Sequence, residues 1–158
     1  MLKIGQKAPE IRLKNQDSIE VNLAEYAGQW VIVYFYPKDN TPGCTQESCD
    51  FNQNHDFFRG IDTTILGISP DSPEMHTKFI FKYSFKFSLL CDESKKVLKA
   101  YGAWGLKKLY GKEYEGVIRS TFIIDPKGIV RATYNNIRVK GHIDTVIADL
   151  TKLQQEEE

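Results

Sequence analysis

Residues 30–36 read WVIVYFY, an unbroken run of apolar, aromatic and β-branched side chains that stops at Pro37. Such a run is typical of a central strand covered on both faces, because a half-exposed strand alternates apolar with polar residues. The run is also far too short to span a bilayer. A chain that contains it must therefore build a buried sheet with further layers packed on each side.

Similar apolar segments recur along the chain. Thr64–Ile68 predicts a second buried strand and Ser120–Ile124 predicts a third. Ile129–Tyr134 follows the turn DPKG and is expected to be the hairpin partner of the third strand. Near the N-terminus, Ile11–Lys14 and Ile19–Asn22 flank NQDS, which predicts a small hairpin.

Four helices are predicted from capping residues, first-turn prolines and apolar residues at helical spacing. They are expected from Thr41–Cys44 toward Phe58, from Ser72 to about Tyr83, from Asp92 or Ser94 to Gly102, and after Gly141. Strands that alternate with helices, followed by a hairpin and a last helix, predict an α/β fold. We expect one domain over residues 1–158, with a thioredoxin-like fold: a central mixed β-sheet, helices on both faces and an N-terminal β-hairpin.

Composition excludes some classes of function. The 158 residues include 21 Lys and Arg and 21 Asp and Glu, so the formal net charge is zero. A neutral chain without a basic cluster has no electrostatic footprint for nucleic acid. The first residues contain no apolar core of signal-peptide length, which predicts a cytoplasmic protein. In a reducing compartment, three cysteines do not indicate a disulfide framework; such thiols are buried and inert, metal-bound or chemically active.

Two of the cysteines lie directly after the buried strand. Thr41-Pro42-Gly43-Cys44 predicts an N-cap threonine, a proline at the first helical position and Cys44 in the first turn. The helix dipole and the unpaired N–H groups there favour negative charge, so we expect the Cys44 thiol to ionise readily. Gly43 leaves room for a small substrate to approach the backbone.

Cys49 follows five positions after Cys44. In an intact helix their Cα atoms would lie about 8–9 Å apart on different faces, beyond the limit of about 7 Å for a disulfide. A bridge therefore requires the first turns to unwind, and helix ends open at low cost. Two other interpretations stay open. Both thiols are small core residues, or they bind zinc, although C-x4-C lacks a second ligand pair and His55, His76 and His142 are scattered.

The segment PKDNTPGCTQESC closely resembles the active-site segment of peroxiredoxins, in particular the Q-type branch, also called bacterioferritin comigratory protein. Further blocks resemble the family in the expected order: LGISPDSPEMHTKF, FSLLCDESKKVLKAYGAWGLK, YGKEYEGVIRSTFIIDPKGIV and VKGHIDTV. The departures are modest. FNQNHDFF lacks the usual Phe-Arg-Asp, and Met75 and Cys91 stand where serine is expected.

The resemblance implies reduction of hydrogen peroxide and organic hydroperoxides. Cys44 corresponds to the peroxidatic cysteine and Cys49 to the resolving cysteine, which together form an intramolecular disulfide that a thioredoxin-like dithiol recycles. Arg119 corresponds to the active-site arginine that holds the thiolate, and Pro37 shields the site. The hydroxyl of Thr41 either serves the peroxide, caps the helix, or does both. No metal, haem or flavin is implied. The branch is often monomeric, with dimers through the cysteine-bearing surface as the alternative.

Three other functions are compatible with the residues taken alone. A thiol–disulfide oxidoreductase that acts on protein disulfides would generally use C-x-x-C. A redox sensor or holdase would use the disulfide as a switch without peroxide turnover. An incidental thiol pair would leave peroxide removal unchanged when Cys44 is lost. Two residues are expected to have no role: Cys91 as a half-buried thiol, and His76 on a solvated helix face.

Overall fold

The computed structural model describes residues 2–157, which form nine strands and five helices. The strands are β1 (Arg12–Asn15), β2 (Glu20–Asn22), β3 (Trp30–Phe35), β4 (Thr63–Ser69), β5 (Ser88–Cys91), β6 (Trp104–Leu109), β7 (Lys112–Val117), β8 (Ser120–Ile124) and β9 (Val130–Tyr134). The helices are α1 (Pro42–Gln53), α2 (His55–Gly60), α3 (Pro73–Tyr83), α4 (Lys96–Ala100) and α5 (His142–Glu156), with a short 3-10 helix at Leu23–Tyr26.

Seven of the strands form one mixed sheet in the order β2-β1-β5-β4-β3-β8-β9. Strands β3, β4 and β5 run parallel, whereas β8 pairs antiparallel to β3 and β1 pairs antiparallel to β5. Helical crossovers join the parallel strands, as parallel pairing requires. The N-terminal hairpin, the three buried strands and the β8–β9 hairpin are thus confirmed.

Strand β3 lies inside the sheet and is buried over its full length. Its alternate side chains point to opposite faces. One face, which includes Ile32 and Tyr34, packs against side chains from α1, α2, α3 and α5. The other face, which includes Val33 and Phe35, packs against α4 and the N-terminal segment. The prediction of helices on both faces is therefore confirmed. Within residues 2–157, no helix combines the length with the hydropathy that a membrane span needs.

Strand β5 and the separate β6–β7 hairpin were not predicted from the sequence. The hairpin turns through Tyr110 and Gly111, which both have positive φ angles of 52° and 78°. Two-residue turns of this kind usually have the sequence Asn-Gly or Asp-Gly. Because a tyrosine stands in the first position here, the sequence did not indicate a turn. The hairpin side chains are also mostly exposed, so the strands lack a buried apolar face.

The first predicted helix is interrupted before Phe58. The Nδ2 group of Asn54 donates to the carbonyl of Asp50 at 2.9 Å, while the Asn54 backbone N–H bonds to the carbonyl of Phe51. This side-chain hydrogen bond takes the acceptor that the continuing helix would use, so α1 ends at Gln53 and α2 begins separately.

The third predicted helix starts later and ends earlier than expected. Its N-cap is Lys95, in the left-handed region at φ 66°, rather than Asp92 or Ser94. The carboxylate of Asp92 nevertheless accepts a hydrogen bond from the N–H of Leu98 at 2.7 Å, so it does satisfy one free donor of the helix start.

Candidate active site

Helix α1 begins beyond the carboxyl end of β3, at the edge where open α/β sheets place their chemistry. Its buried residues recur at the spacing of one helix face. They are Cys44, Glu47, Ser48 and Phe51. Cys49 lies outside this face and is half-buried. The intact helix therefore turns the two thiols in different directions, and all three cysteines are free.

Tyr34 of β3 supports the inward face of α1. Its hydroxyl lies 2.9 Å from Ser48 Oγ, and its ring stacks on Phe51 with a centroid separation of 4.6 Å. Gly67 on the neighbouring strand makes room for this ring, because a Cβ there would lie 2.8 Å from Tyr34. The position of α1 is thus fixed by the central strand β3, which the apolar run at residues 30–36 forms.

Arg119 approaches Cys44 from the loop before β8. Its Nη2 group donates to Cys44 Sγ at 3.2 Å, and the side chain of Cys44 is only 1% exposed. The lack of a side chain at Gly43 eases this approach, because a Cβ at that position would lie 3.3 Å from Arg119 Nη2. The sulfur thus lies in the first turn of a helix with a guanidinium against it, and both features place positive charge beside it.

Glu47 is a second partner of Arg119 that the sequence analysis missed. Arg119 Nη1 donates to Glu47 Oε1 at 2.7 Å, and the other carboxylate oxygen is buried without a hydrogen-bond partner among residues 2–157. Burial raises the pKa of Glu47 to about 7, although the adjacent guanidinium opposes that rise. The available signal was its spacing, since a residue three positions after Cys44 lies on the same helix face.

Thr41 and Pro37 lie on the loop between β3 and α1. Thr41 occupies the N-cap position, but its side chain does not cap the helix, which corrects the expected capping role. Instead Thr41 Oγ1 donates to the carbonyl of Lys38 at 2.7 Å, so its lone pairs remain available as acceptors. Pro37 and Arg119 form part of the wall of one surface cavity.

That cavity has a volume of about 520 Å³ and mixes apolar and cationic side chains. Besides Pro37 and Arg119, its wall includes Leu106, Lys107, Lys108, Ile118 and Ile137. No cysteine among residues 2–157 lines this cavity, and it adjoins the thiol through Arg119, which contacts Cys44 Sγ. Two other cavities, of about 520 and 630 Å³, lie at the opposite ends of the parallel strands, away from Arg119 and Cys44.

Cys49 differs from Cys44 in its electrostatic surroundings. Burial, together with the neighbouring carboxylate of Asp50, raises the pKa of the Cys49 thiol. Cys49 also packs at the margin of the apolar cluster beneath α1. In the folded helix, Cys49 is therefore held mainly as the neutral thiol.

His76 does not lie on a solvated helix face as the sequence suggested, since its side chain is fully buried. Burial alone would lower the pKa of His76, but its hydrogen bond to Asp39, together with the nearby Cys91 side chain, raises it to about 10. Asp39, Asp71 and His76 could bring three ligand atoms within 4.8 Å of one another. Their hydrogen bonds already satisfy these groups, and a metal ion would have to displace a proton from His76.

His142 and Cys91 make their hydrogen bonds away from Cys44. His142 starts α5, the helix predicted after Gly141, and burial together with Arg119 lowers the pKa of His142 to about 4, so its ring is neutral. Its Nε2 atom lies 2.9 Å from Thr121 Oγ1. Cys91 is buried rather than half-buried, and its sulfur lies 3.9 Å from the carbonyl of Asn15.

Comparison with known proteins places this geometry in a family. Residues 4–133 match the model of the AhpC/TSA family. Peroxiredoxin Bcp of Bacillus subtilis is 44% identical over 154 residues, which cover 98% of each chain, and peroxiredoxin Bcp of Escherichia coli is 40% identical over 92% of this chain and 94% of the other.

Solved structures give the same result. A cysteine variant of PrxQ from Xylella fastidiosa superposes with a TM-score of 0.90 at 34% identity, over 100% of this chain and 99% of the other. The bacterioferritin comigratory protein of Xanthomonas campestris, described for its alkyl peroxide reduction activity, has a TM-score of 0.85 at 37% identity over 90% of each chain. The chain therefore belongs to the AhpC/TSA family and, within it, to the peroxiredoxins, which are thiol-dependent peroxidases.

Proposed function

We propose that Cys44 is the peroxidatic thiol and that it reduces hydrogen peroxide and organic hydroperoxides. The observation that carries the proposal is the contact of 3.2 Å between Arg119 Nη2 and Cys44 Sγ in the first turn of α1. The charge of a guanidinium is permanent, and the helix start adds a second positive field. Together they supply the thiolate, which is the nucleophilic form of the side chain.

In the first step the thiolate attacks one peroxide oxygen. The S–O bond forms as the O–O bond breaks, and the departing oxygen takes a proton and leaves as water or an alcohol. Sulfur gives up two electrons and becomes the sulfenic acid. Arg119 stabilises the negative charge that moves to the departing oxygen. Thr41 Oγ1 accepts a hydrogen bond from the O–H group of the peroxide, because its own hydrogen is donated to the carbonyl of Lys38.

The near-complete burial of Cys44 sets a condition on substrate entry. Cys44 is 1% exposed, whereas Pro42 and Gly43 on the first turn are exposed. A small peroxide therefore needs a small outward movement of this turn or of the Arg119 side chain. Both border open space, because Arg119 lies in the wall of the cavity of about 520 Å³.

In the second step Cys49 resolves the sulfenic acid. The first turns of α1 unwind, and the Cys49 thiolate attacks the Cys44 sulfur. The S–S bond forms as the S–O bond breaks, and hydroxide leaves as water after protonation. Unwinding also removes the burial that raises the pKa of Cys49. The movement that brings Cys49 close to the Cys44 sulfur therefore also favours its thiolate.

The catalytic cycle then needs two electrons from outside the chain. A thioredoxin-like dithiol supplies them by exchange with the Cys44–Cys49 disulfide. A dithiol pool of this kind belongs to a reducing compartment, so we assign the protein to the cytoplasm. We further propose that residues 1–158 act as a single domain and, as the resemblance to the Q-type branch implies, as a monomer.

The test compares Cys44→Ser with Cys49→Ser. With a dithiol reductant held constant, Cys44→Ser is expected to abolish peroxide consumption. Cys49→Ser is expected to take up one oxygen atom on Cys44 after one equivalent of peroxide, as read by intact and peptide mass spectrometry. An oxygen on Cys49 or Cys91 instead, or normal turnover of Cys44→Ser, would contradict the assignment. Stoichiometric oxidation without turnover would indicate a redox sensor.

A further inference from the structure

A buried ion pair under the active-site loop takes no part in the steps above. Asp39 and His76 are both inaccessible, and His76 Nδ1 lies 2.6 Å from Asp39 Oδ2. The other ring nitrogen, Nε2, lies 2.9 Å from the carbonyl oxygen of Leu90. The Leu90 carbonyl can only accept, so Nε2 carries a proton. The hydrogen bond to Asp39 raises the pKa of His76 to about 10, so Nδ1 carries a second proton at neutral pH. His76 is therefore an imidazolium ion that joins the loop to β5.

Asp39 is held by more than this one partner. Its second oxygen, Oδ1, accepts a hydrogen bond of 2.5 Å from the hydroxyl of Tyr36, directly after β3. Its backbone N–H donates to Asp71 Oδ2 at 2.8 Å, and the same oxygen accepts from Ser69 Oγ at 2.7 Å. The residue is thus tied to three separate elements through both its side chain and its backbone.

The loop that Asp39 anchors carries two groups of the peroxide site. Pro37 lies two positions before it, and Thr41 lies two positions after it. Asn40 between them has a positive φ of 62°, so the chain turns sharply there to enter α1. With so few residues between strand and helix, any shift of Asp39 displaces Pro37 and Thr41 relative to Cys44.

We propose that Asp39 and His76 form a positioning pair, which holds Pro37 and Thr41 in register with the Cys44 sulfur and thereby sets the rate of peroxide attack. The inference rests on the proposed function of Cys44. A charged hydrogen bond that is shielded from water is stronger and geometrically stricter than an exposed one. Misplacement by about 1 Å far from the reacting atoms can cost about 100-fold in rate.

The ring nitrogens of His76 can be replaced one at a time. In His76→Asn, the amide N–H₂ takes the place of Nδ1 and can still donate to Asp39. In His76→Gln, the longer side chain places its N–H₂ near Nε2, where it donates to Leu90 instead. Both variants lose the charge and differ only in which contact remains. We expect His76→Gln to slow the oxidation of Cys44 by about 10- to 100-fold, and His76→Asn to recover most of that loss.

Two rates must be measured on each variant. Stopped-flow oxidation by hydrogen peroxide depends on the alignment of Pro37 and Thr41, whereas alkylation of Cys44 by iodoacetamide needs only an accessible thiolate. We expect alkylation to stay within about 3-fold of the parent, because Arg119 is untouched. A purely structural role would slow both reactions together. Tyr101→Phe is the matched control, since it removes one buried hydrogen bond, to the carbonyl of Pro9 at 2.7 Å, in the opposite core cluster.

The proposal is overturned if His76→Gln is oxidised as fast as the parent, if the Asn and Gln variants behave alike, or if oxidation and alkylation slow equally. Should His76→Gln not fold, Tyr36→Phe removes only the hydroxyl that Asp39 accepts. It is expected to slow oxidation alone by about 3- to 10-fold, and an unchanged rate overturns the proposal. In each of these outcomes Cys49→Ser still reports on Cys44, so the proposed function is judged separately.

Discussion

One positive charge, that of Arg119, serves two acceptors at the site. Its Nη2 group contacts the Cys44 sulfur and its Nη1 group contacts Glu47. When Glu47 is ionised, its negative charge partly offsets the positive charge of the guanidinium. When Glu47 is protonated, this offset is lost and Arg119 stabilises the Cys44 thiolate more strongly. Because the pKa of Glu47 is about 7, this balance changes close to neutral pH.

The geometry of Arg119 matters as well as its charge. In Arg119→Lys the cation is kept, but a single ammonium cannot contact Cys44 and Glu47 in the same fork-like way. We expect the rate constant for oxidation by peroxide to fall about 100-fold, the loss typical of one donor to a developing oxyanion. Stopped-flow oxidation measures it. Arg131→Lys, which alters a half-buried ion pair with Asp125, is the control and should react normally. Equal rates of peroxide oxidation in both variants would mean that Arg119 takes no part in the reaction.

Glu47→Gln should change how stability depends on pH. The folded-state pKa of Glu47 is raised to about 7 from an ordinary value of 4.5, so burial favours its protonated form. The stability that this proton contributes is complete below about pH 4.5 and is lost as the pH rises through 7. The parent should therefore lose stability as the pH rises from 5 to 8, whereas Glu47→Gln should not. We expect the free energy of unfolding of Glu47→Gln, relative to that of the parent, to increase by on the order of 2–3 kcal/mol over this range. Urea denaturation across this range measures it, and parallel curves would contradict it.

How well single residues could be read from the sequence depends on where their partners lie. Cys44, Thr41 and Gly43 belong to one local motif at a helix start, so their placement follows from nearby residues. Glu47 and His76 act through partners 72 and 37 positions away in the chain. A charged residue on a predicted helix face is ordinarily solvated. Only the tertiary structure shows that these two are buried and paired.

Helix α1 is the element that must change during the cycle. Its start was predictable from the Thr-Pro-Gly sequence, because a proline at the first helical position is a local signal, even though the Thr41 side chain does not cap the helix. Its end was not, since it depends on a hydrogen bond from the side chain of Asn54. Strands β6 and β7 were missed for a related reason, because an exposed hairpin has no buried face to impose a pattern.

If unwinding of α1 precedes disulfide formation, helix propensity should control its rate. Gln46 is exposed in α1 between the two cysteines, so substitutions there alter propensity without altering the core. Glycine is about 1 kcal/mol less favourable than alanine in a helix, which corresponds to about a 5-fold change in an opening equilibrium. We expect Gln46→Gly to form the disulfide about 5-fold faster than Gln46→Ala, as followed by quenched-flow mass spectrometry after one equivalent of peroxide.

The matched control is the same pair of substitutions in a helix that stays folded. Lys152 is exposed in α5, and Lys152→Gly and Lys152→Ala should differ in stability but not in the rate of disulfide formation. A difference at position 152 as large as that at position 46 would indicate global rather than local opening. No difference at position 46 would mean that unwinding does not limit the second step.

At the scale of the whole molecule, the sheet has one apolar cluster on each face, and helix α1, which must unwind, contacts only one of them. Cys44 and Phe51 of α1 pack in one cluster with residues of α5. The other cluster, on the far face, contains no residue of α1. Unwinding of α1 therefore disturbs one layer and leaves the sheet and its opposite layer intact, which is what a reversible cycle requires.

This division predicts a specific pattern of amide hydrogen exchange in the oxidised protein. When the Cys44–Cys49 disulfide forms, amides of residues 42–51 should lose protection, because their helical hydrogen bonds are broken. The start of α5 should lose some protection too, since His142 packs edge-on against Phe51 at 6.4 Å between ring centroids. Strands β3, β4 and β8 should exchange as before, because their ladder bonds to one another do not involve α1.

Cys49→Ser treated with peroxide supplies the control for this pattern. It oxidises Cys44 without forming the bridge, so α1 should keep its protection, and any loss seen there would be due to oxidation alone. Faster exchange throughout the sheet would mean that the disulfide destabilises the entire molecule. Unchanged exchange in residues 42–51 would require the two sulfurs to meet without unwinding, which the helix geometry forbids because five residues advance about 7.5 Å along the axis.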